Sequence, residues 1–195
     1  MAERAALEEN EDAGLVQRAA AGSRDAFEVL LTRHQDAVFR FARAITRCPE
    51  DAEDILQETF LTLYRAASSY RGESSVRTWL LVIARNSAFR TLKHRPPQAE
   101  LEQADPWELG RKGGWGRTDP ESMAIRSEQR EKLKAALDAL EPEAREVIVL
   151  RDLEELSGED TARVLGLSME AMKSRLHRAR LKLAAALSRG GDDGR

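Results

Sequence analysis

The sequence predicts an all-α protein: two small helical domains joined by a flexible linker. Apolar residues recur at helical spacing through most of the 195 residues, and no segment alternates with the period of two that a half-buried strand requires. Residues 94–123 interrupt this pattern with four of the six prolines and four of the twelve glycines. Such a composition is typical of a linker, so we expect one domain on each side of it.

Local stop and start signals place four helices before the linker. Gly22 ends the first, Ser23 can cap the second, and Pro49 suits the first position of the third. The predicted bounds are about 13–21, 24–46, 49–67 and 75–94.

Four more helices are predicted after the linker. Asp119 and Pro120 form a good helix start, Pro142 restarts the chain, and Gly166 separates two helices capped near Ser157 and at Ser168. Their predicted bounds are about 120–140, 142–152, 157–166 and 168–187. The chain thus divides into an acidic N-terminal extension with a short helix, a first domain, a flexible linker, a second domain and a disordered tail, over residues 1–22, 23–95, 96–119, 120–188 and 189–195.

Charge is strongly segregated along the chain, although the net charge is only −3. Residues 50–58 sum to −5, whereas residues 71–95 and 169–189 each sum to +5. This segregation predicts two kinds of partner, a polyanion for the basic segments and a basic protein for the acidic one. Solvated helix faces remain the alternative.

Several function classes are excluded by what the sequence lacks. No segment approaches the roughly 18 apolar residues of a membrane span, and residues 1–14 lack a secretory signal. We therefore expect a cytoplasmic protein without membrane insertion. Cys48 is the one cysteine, the three histidines are scattered, and no nucleotide-binding glycine loop or plausible catalytic acid pair is present. We expect no catalytic residue, no cofactor, no metal and no enzyme.

Residues 157–183 have the plan of a helix-turn-helix, with Gly166 at the corner. Met172, Leu176, Ala179 and Leu183 form the predicted buried stripe of the second helix. A helix of this width fits the major groove of DNA, where arginine and serine can hydrogen-bond to bases. A structural hairpin with a solvated basic face is the alternative. The candidate DNA-reading residues, on the opposite face and its flanks, are Lys173, Ser174, Arg175, His177 and Arg178.

The third helix carries Asp51, Asp54 and Glu58 on one face, with Gln57 close by. Such a face repels DNA, so any partner it has should be a basic protein whose arginines can pair with the carboxylates. A solvated face is the alternative. Metal-dependent hydrolysis is a weaker one, because no histidine or second carboxylate helix offers ligand spacing.

The fourth helix combines basic, small polar and aromatic residues, a mixture that suits single-stranded nucleic acid. Its candidate residues, with those of the loop just before it, are Ser74, Ser75, Arg77, Thr78, Trp79, Arg85, Asn86, Arg90 and Lys93. For Trp79 the alternative is a place in the core, because it lies four residues before Ile83.

With these residues in place, the chain resembles a bacterial RNA polymerase sigma factor of the extracytoplasmic-function (ECF) type, within the sigma-70 superfamily. The segments that carry the resemblance are DAEDILQETFLTLYRAASSYRG with RTWLLVIARNSAFRTLKHR, similar to region 2, and LSGEDTARVLGLSMEAMKSRLHRARLKL, similar to region 4. It covers nearly everything from Ala26 to Leu187 except the linker. Departures lie at Gly158, Asp160 and Thr161, where the family often has an aromatic residue and a Glu-Ile pair.

The resemblance implies a non-enzymatic factor that binds core polymerase and directs promoter-specific initiation. Asp51, Asp54, Gln57 and Glu58 would contact the clamp coiled coil of the largest subunit, and the flap is a further implied contact on core polymerase. The candidates on and before the fourth helix would hold the melted −10 strand, and those of the helix-turn-helix would read the −35 element as duplex. An anti-sigma protein is a further implied partner. The alternative is a two-domain helix-turn-helix regulator that acts without polymerase.

Overall fold

The computed structural model describes the backbone of residues 2–94 and 120–189, and the side chains of residues 10–94 and 129–189. Within those ranges the chain is helical and contains no strand, which confirms the predicted all-α class. The α-helices of the described ranges are α1 (Ala2–Ala20), α2 (Arg24–Thr46), α3 (Pro49–Ala66), α4 (Val76–His94), α5 (Pro120–Asp138), α6 (Pro142–Ile148), α7 (Gly158–Leu165) and α8 (Met169–Arg189).

The first domain packs α2, α3 and α4 around a core that includes Phe41, Leu63 and Leu80. A short 3₁₀ turn, Ala67–Ser69, follows α3. Two of the capping predictions are confirmed here. The Ser23 hydroxyl accepts a hydrogen bond from the Ala26 amide at 3.3 Å, and Pro49 occupies the first turn of α3.

Helix α1 is longer than predicted, because it begins at Ala2 rather than near residue 13. Its contacts explain how an acidic helix is held against the domain. The buried Asp12 carboxylate lies 2.8 Å from His34 Nε2 and 2.6 Å from Arg33 Nη1, both on α2. These partners are distant in sequence, so no local pattern reveals them.

The second domain contains α5 to α8, and α7 and α8 form the helix-turn-helix. Ser157 accepts from the Asp160 amide at 3.0 Å, Gly166 adopts a left-handed φ of 65°, and Ser168 accepts from the Ala171 amide at 3.2 Å. Met172 and Leu176 are buried, as the predicted stripe requires.

The helix predicted over 142–152 is divided in the structure. Its α-helical segment ends at Ile148, and a wider π-helical turn, Val149–Leu153, continues the chain. In that turn the Glu154 amide donates to the Val149 carbonyl at 2.8 Å. The turn leads directly into Glu154, whose carboxylate is buried against the first domain.

The two domains pack against each other. Helix α4 lies against α7, and α2 lies against α6 and the π-helical turn. Arg145, on α6, is buried at this junction and donates to the carbonyls of Leu137, Asp138 and Leu140 at the end of α5 and of Ala44 and Ile45 near the end of α2. Burial lowers the pKa of Arg145 to about 10. One guanidinium therefore satisfies the carboxyl ends of two helices from different domains.

The predicted linker, 96–119, lies outside the described residues, as do residues 190–195 of the tail predicted over 189–195, whereas Arg189 is the last residue of α8. The five-segment division of the chain therefore stays a prediction. Among the helices of the described ranges, none combines the length and the apolar character that crossing a lipid bilayer requires.

We expect Arg145→Met to lower the free energy of unfolding by about 3 to 5 kcal/mol, because buried carbonyls of two helix ends lose their charged donor. Urea unfolding followed by circular dichroism measures the change. Arg130→Met, at an exposed position on α5, is the matched control and should stay within about 0.5 kcal/mol of the parent. Equal unfolding midpoints for the two variants would show that the Arg145 contacts add nothing.

Candidate nucleic-acid and protein interfaces

Helix α3 presents a mixed acidic and apolar face to solvent. Asp54 and Gln57, both predicted to contact a protein, are exposed. Leu61 and Tyr64 follow on the same face at i+7 and i+10 from Asp54, with exposures of 52% and 63%. Sequence reasoning missed these two residues, although their spacing from Asp54 was available as a signal. Large apolar side chains this exposed beside a carboxylate are typical of a protein-binding surface.

The other two acidic-face candidates are less accessible. Asp51 and Glu58 are half-buried, and the Glu58 carboxylate accepts hydrogen bonds from the Ser87 hydroxyl and the Arg90 guanidinium of α4. The hydrogen bond from Ser87, together with Arg90, holds the pKa of Glu58 below its ordinary value. Glu58 therefore connects the acidic surface of α3 to the basic helix α4.

The loop before α4 is fixed onto the start of that helix. The Tyr70 hydroxyl donates to the Ser74 carbonyl at 2.6 Å, and Ser75 Oγ accepts from the Thr78 amide at 3.1 Å. Thr78 is buried, and its hydroxyl lies 2.9 Å from that of Ser75. Trp79 is half-buried against the core, with its ring centroid 5.1 Å from that of Tyr70. The loop is thus rigidly placed, while Ser75 and Thr78 are occupied in capping α4.

The α4 residues predicted to bind single-stranded DNA form two groups, one exposed to solvent and one covered by the second domain. Asn86, Arg90 and Lys93 are exposed along one stripe at i, i+4 and i+7. Arg77 and Arg85, in contrast, are half-buried and face carboxylates of the second domain. The open stripe is free of the domain contact, whereas the other two arginines are not.

Glu154 is the carboxylate that Arg77 meets. The Arg77 guanidinium lies 2.5 Å from Glu154 Oε2, and Arg40 of α2 donates to both Glu154 oxygens at 2.8 and 2.9 Å. Glu154 itself is only 3% exposed. Its buried charge is therefore neutralised by two arginines of the first domain.

Glu146, on α6, is a second carboxylate buried at the junction, at 0% exposure. Arg85 donates to its two oxygens at 2.7 and 3.2 Å, and Arg175 of α8 donates to one of them at 3.0 Å. Burial raises the pKa of Glu146, and the arginines oppose that shift. Sequence reasoning missed this site; the available signal was a glutamate directly before the apolar run Val147–Leu150.

The recognition face of α8 is otherwise open. Lys173, Ser174, His177 and Arg178 are all exposed, as the helix-turn-helix prediction requires. Only Arg175 among the five candidates on α8 is half-buried, through its contact with Glu146. The exposed four alone can approach a groove of DNA in this arrangement.

Among the side chains described for residues 10–94 and 129–189, no three histidine, cysteine or carboxylate residues lie together as a metal site would require.

Comparison with known families gives two matches. Residues 30–95 match the model of sigma-70 region 2, and residues 130–183 match that of sigma-70 region 4. The matches follow the order of the two domains along the chain.

Similar proteins cover nearly the whole chain. It is 36% identical over 181 residues to the ECF RNA polymerase sigma factor SigM of Mycobacterium tuberculosis, spanning 92% of this chain and 86% of SigM. It is 34% identical over 177 residues to the ECF RNA polymerase sigma-E factor of Escherichia coli, spanning 87% of this chain and 90% of that factor. Among solved structures, CnrH in complex with the cytosolic domain of CnrY is 28% identical with a TM-score of 0.65, over 91% of this chain and 97% of CnrH.

Proposed function

This chain belongs to the ECF sigma factors of the sigma-70 family, and we propose that it binds core RNA polymerase through α3 while α4 and α8 hold two separate promoter elements. Members of this family are non-enzymatic transcription initiation factors that direct polymerase to promoters. The observation that supports these roles of α3, α4 and α8 is that their surfaces are separate. Helix α3 has an acidic and apolar face, whereas α4 and α8 have basic faces.

The polymerase-binding surface would centre on Asp54, Gln57, Leu61 and Tyr64. The carboxylate and the amide can pair with arginines of a basic helical partner. The apolar side chains give such a contact a core from which water is excluded. Asp51 and Glu58 would contribute at its edge, and the clamp coiled coil of the largest subunit is the proposed partner.

Duplex recognition at the −35 element would rest on α8. Its exposed stripe presents Lys173 and Arg178 for phosphates and guanine, and Ser174 and His177 for smaller base contacts. Phosphate contacts of this kind make affinity fall with salt, because bound counterions are released.

Capture of the melted −10 strand would rest on α4. Asn86, Arg90 and Lys93 offer amide and cationic donors along one stripe. The loop before Trp79, fixed by Tyr70, would form the edge of a pocket for an unstacked base. Strand opening would then be driven by binding, since melted bases are stabilised only after they leave the duplex.

A regulatory protein that occupies these surfaces is also proposed. CnrH, similar in fold and 28% identical, is bound to the cytosolic domain of CnrY. By analogy, an anti-sigma protein would hold this chain inactive in the cytoplasm, where polymerase and promoter lie.

Replacing Lys173 and Arg178 together by Ala should lower initiation from −35-dependent promoters roughly 30-fold or more, because two contacts are lost and each contributes at least about 1 kcal/mol. In vitro transcription with core enzyme on genomic fragments, with start sites mapped, measures the loss. Arg175 is left unchanged because it also contacts Glu146.

The matched control for this variant removes two charges from α5 of the same domain, Arg130→Ala with Lys132→Ala, and should keep most activity. Core polymerase binding should survive in both variants. If the α8 variant lost polymerase binding instead, the division of roles between α3 and α8 would be wrong.

Asp54→Lys should weaken binding to core polymerase about tenfold or more. The substitution replaces a carboxylate that would pair with arginines of the partner by a positive charge that would repel them. Glu53→Lys makes the same charge change at the preceding position of α3, on a different face, and serves as the control. Fluorescence anisotropy of labelled chain titrated with core enzyme measures both affinities. Equal losses in the two variants would point to general electrostatic attraction and against a specific contact at Asp54.

A further inference from the structure

Leu181 lies in the middle of the outward face of α8, where a polar residue would be expected. It comes nine residues, or about two and a half helical turns, after the buried Met172, so the two side chains point to opposite sides of the helix. Leu181 is 59% exposed. None of the DNA contacts proposed for α8 uses it, so this apolar side chain has no role in the proposed function.

Leu181 continues the row of exposed residues that would read the −35 duplex. Ser174, His177 and Arg178 precede it by seven, four and three positions, so the four residues share one face at i, i+3, i+4 and i+7. Homeodomains read bases in the major groove from four positions of one helix with this same spacing. Seven helical residues cover about 10 Å, or about three base-pair steps of DNA. A helix laid along the groove therefore brings Leu181 to base edges about three pairs from those that Ser174 faces.

The surroundings of Leu181 do not form an apolar patch for a protein partner. Along α8, which the structure describes from end to end, the other exposed large apolar residues are Met169 and Leu187. Helical spacing turns each of them about 120° away from Leu181. The next turn offers only Ala184 and Ala185 beside it. A protein contact needs several large side chains together, whereas a single apolar side chain suits a single apolar group.

We propose that Leu181 is a specificity-determining residue of α8 that contacts the 5-methyl group of a thymine in the −35 duplex. That methyl is the apolar group that a base pair presents in the major groove. Contact with Leu181 removes apolar surface of both groups from water and selects against cytosine, which lacks the methyl. Serine, histidine and arginine read donors and acceptors, so the leucine adds a feature that they do not read. The inference rests on the proposed role of α8 in −35 recognition.

Replacing thymine by deoxyuridine tests the contact, because it removes the 5-methyl group and leaves every hydrogen-bonding group of the base pair in place. Core polymerase carrying the parent chain would first enrich −35 duplexes from a random-sequence library, with core polymerase alone as the reference. Each thymine of the enriched element would then be replaced in turn. At one position, loss of the methyl should weaken holoenzyme binding about fourfold.

Leu181→Ala should abolish this difference, so that its holoenzyme binds the thymine and deoxyuridine duplexes equally. Leu181→Met keeps an apolar side chain of similar volume and should retain most of the methyl effect. The matched control is Leu187→Ala, which removes the same side chain from another face of α8 and should retain the full effect. All three variants should bind core polymerase like the parent chain, because the proposed polymerase contact lies on α3.

An enriched element at which no thymine shows a methyl effect would overturn the assignment of Leu181. A methyl effect that persists in Leu181→Ala would also overturn it, because another residue would then read the methyl group. In both cases the holoenzyme still selects a duplex sequence, so the proposed function stands. If the holoenzyme enriches no sequence beyond core polymerase alone, the proposed function fails and the assignment fails with it.

Discussion

A buried carboxylate must be paired, and this requirement organises the contact between the two domains. Glu146 and Glu154 are almost inaccessible to water, and an unpaired ion in such a place is strongly destabilising. Four arginines, Arg40, Arg77, Arg85 and Arg175, supply the pairing. The charge of two glutamates therefore decides where these arginines of α2, α4 and α8 point.

The elements of the fold could be predicted because their signals are local. A serine at a helix start, a proline in the first turn and a glycine after the last turn act within a few residues, and Ser23, Pro49 and Gly166 do so here. The start of α1 could not be found in this way. That helix is held by Asp12 against α2, a contact between residues more than twenty positions apart.

The distinction between local signals and contacts distant in sequence also applies to the candidate interfaces. The exposed stripe of α8 follows from helical periodicity once the buried stripe is known, so the exposure of Lys173 and Arg178 could be predicted from sequence. The covering of Arg85 and Arg175 could not, because it depends on a contact between α4 and α6, which lie in different domains. Periodicity identifies which side of a helix is polar, but only the tertiary contact decides whether solvent or a carboxylate faces it.

Internal pairing also bears on the two basic segments of this chain, whose net charge is −3. Two segments of +5 would bind any duplex through phosphate contacts, and nonspecific sites vastly outnumber promoters. Some of that charge is paired with internal carboxylates, at Arg77, Arg85 and Arg175. The acidic and apolar face of α3, with Asp54 and Tyr64, stays exposed in the same state. The described arrangement therefore offsets part of the basic charge within the chain, while it leaves the acidic and apolar face of α3 open to solvent.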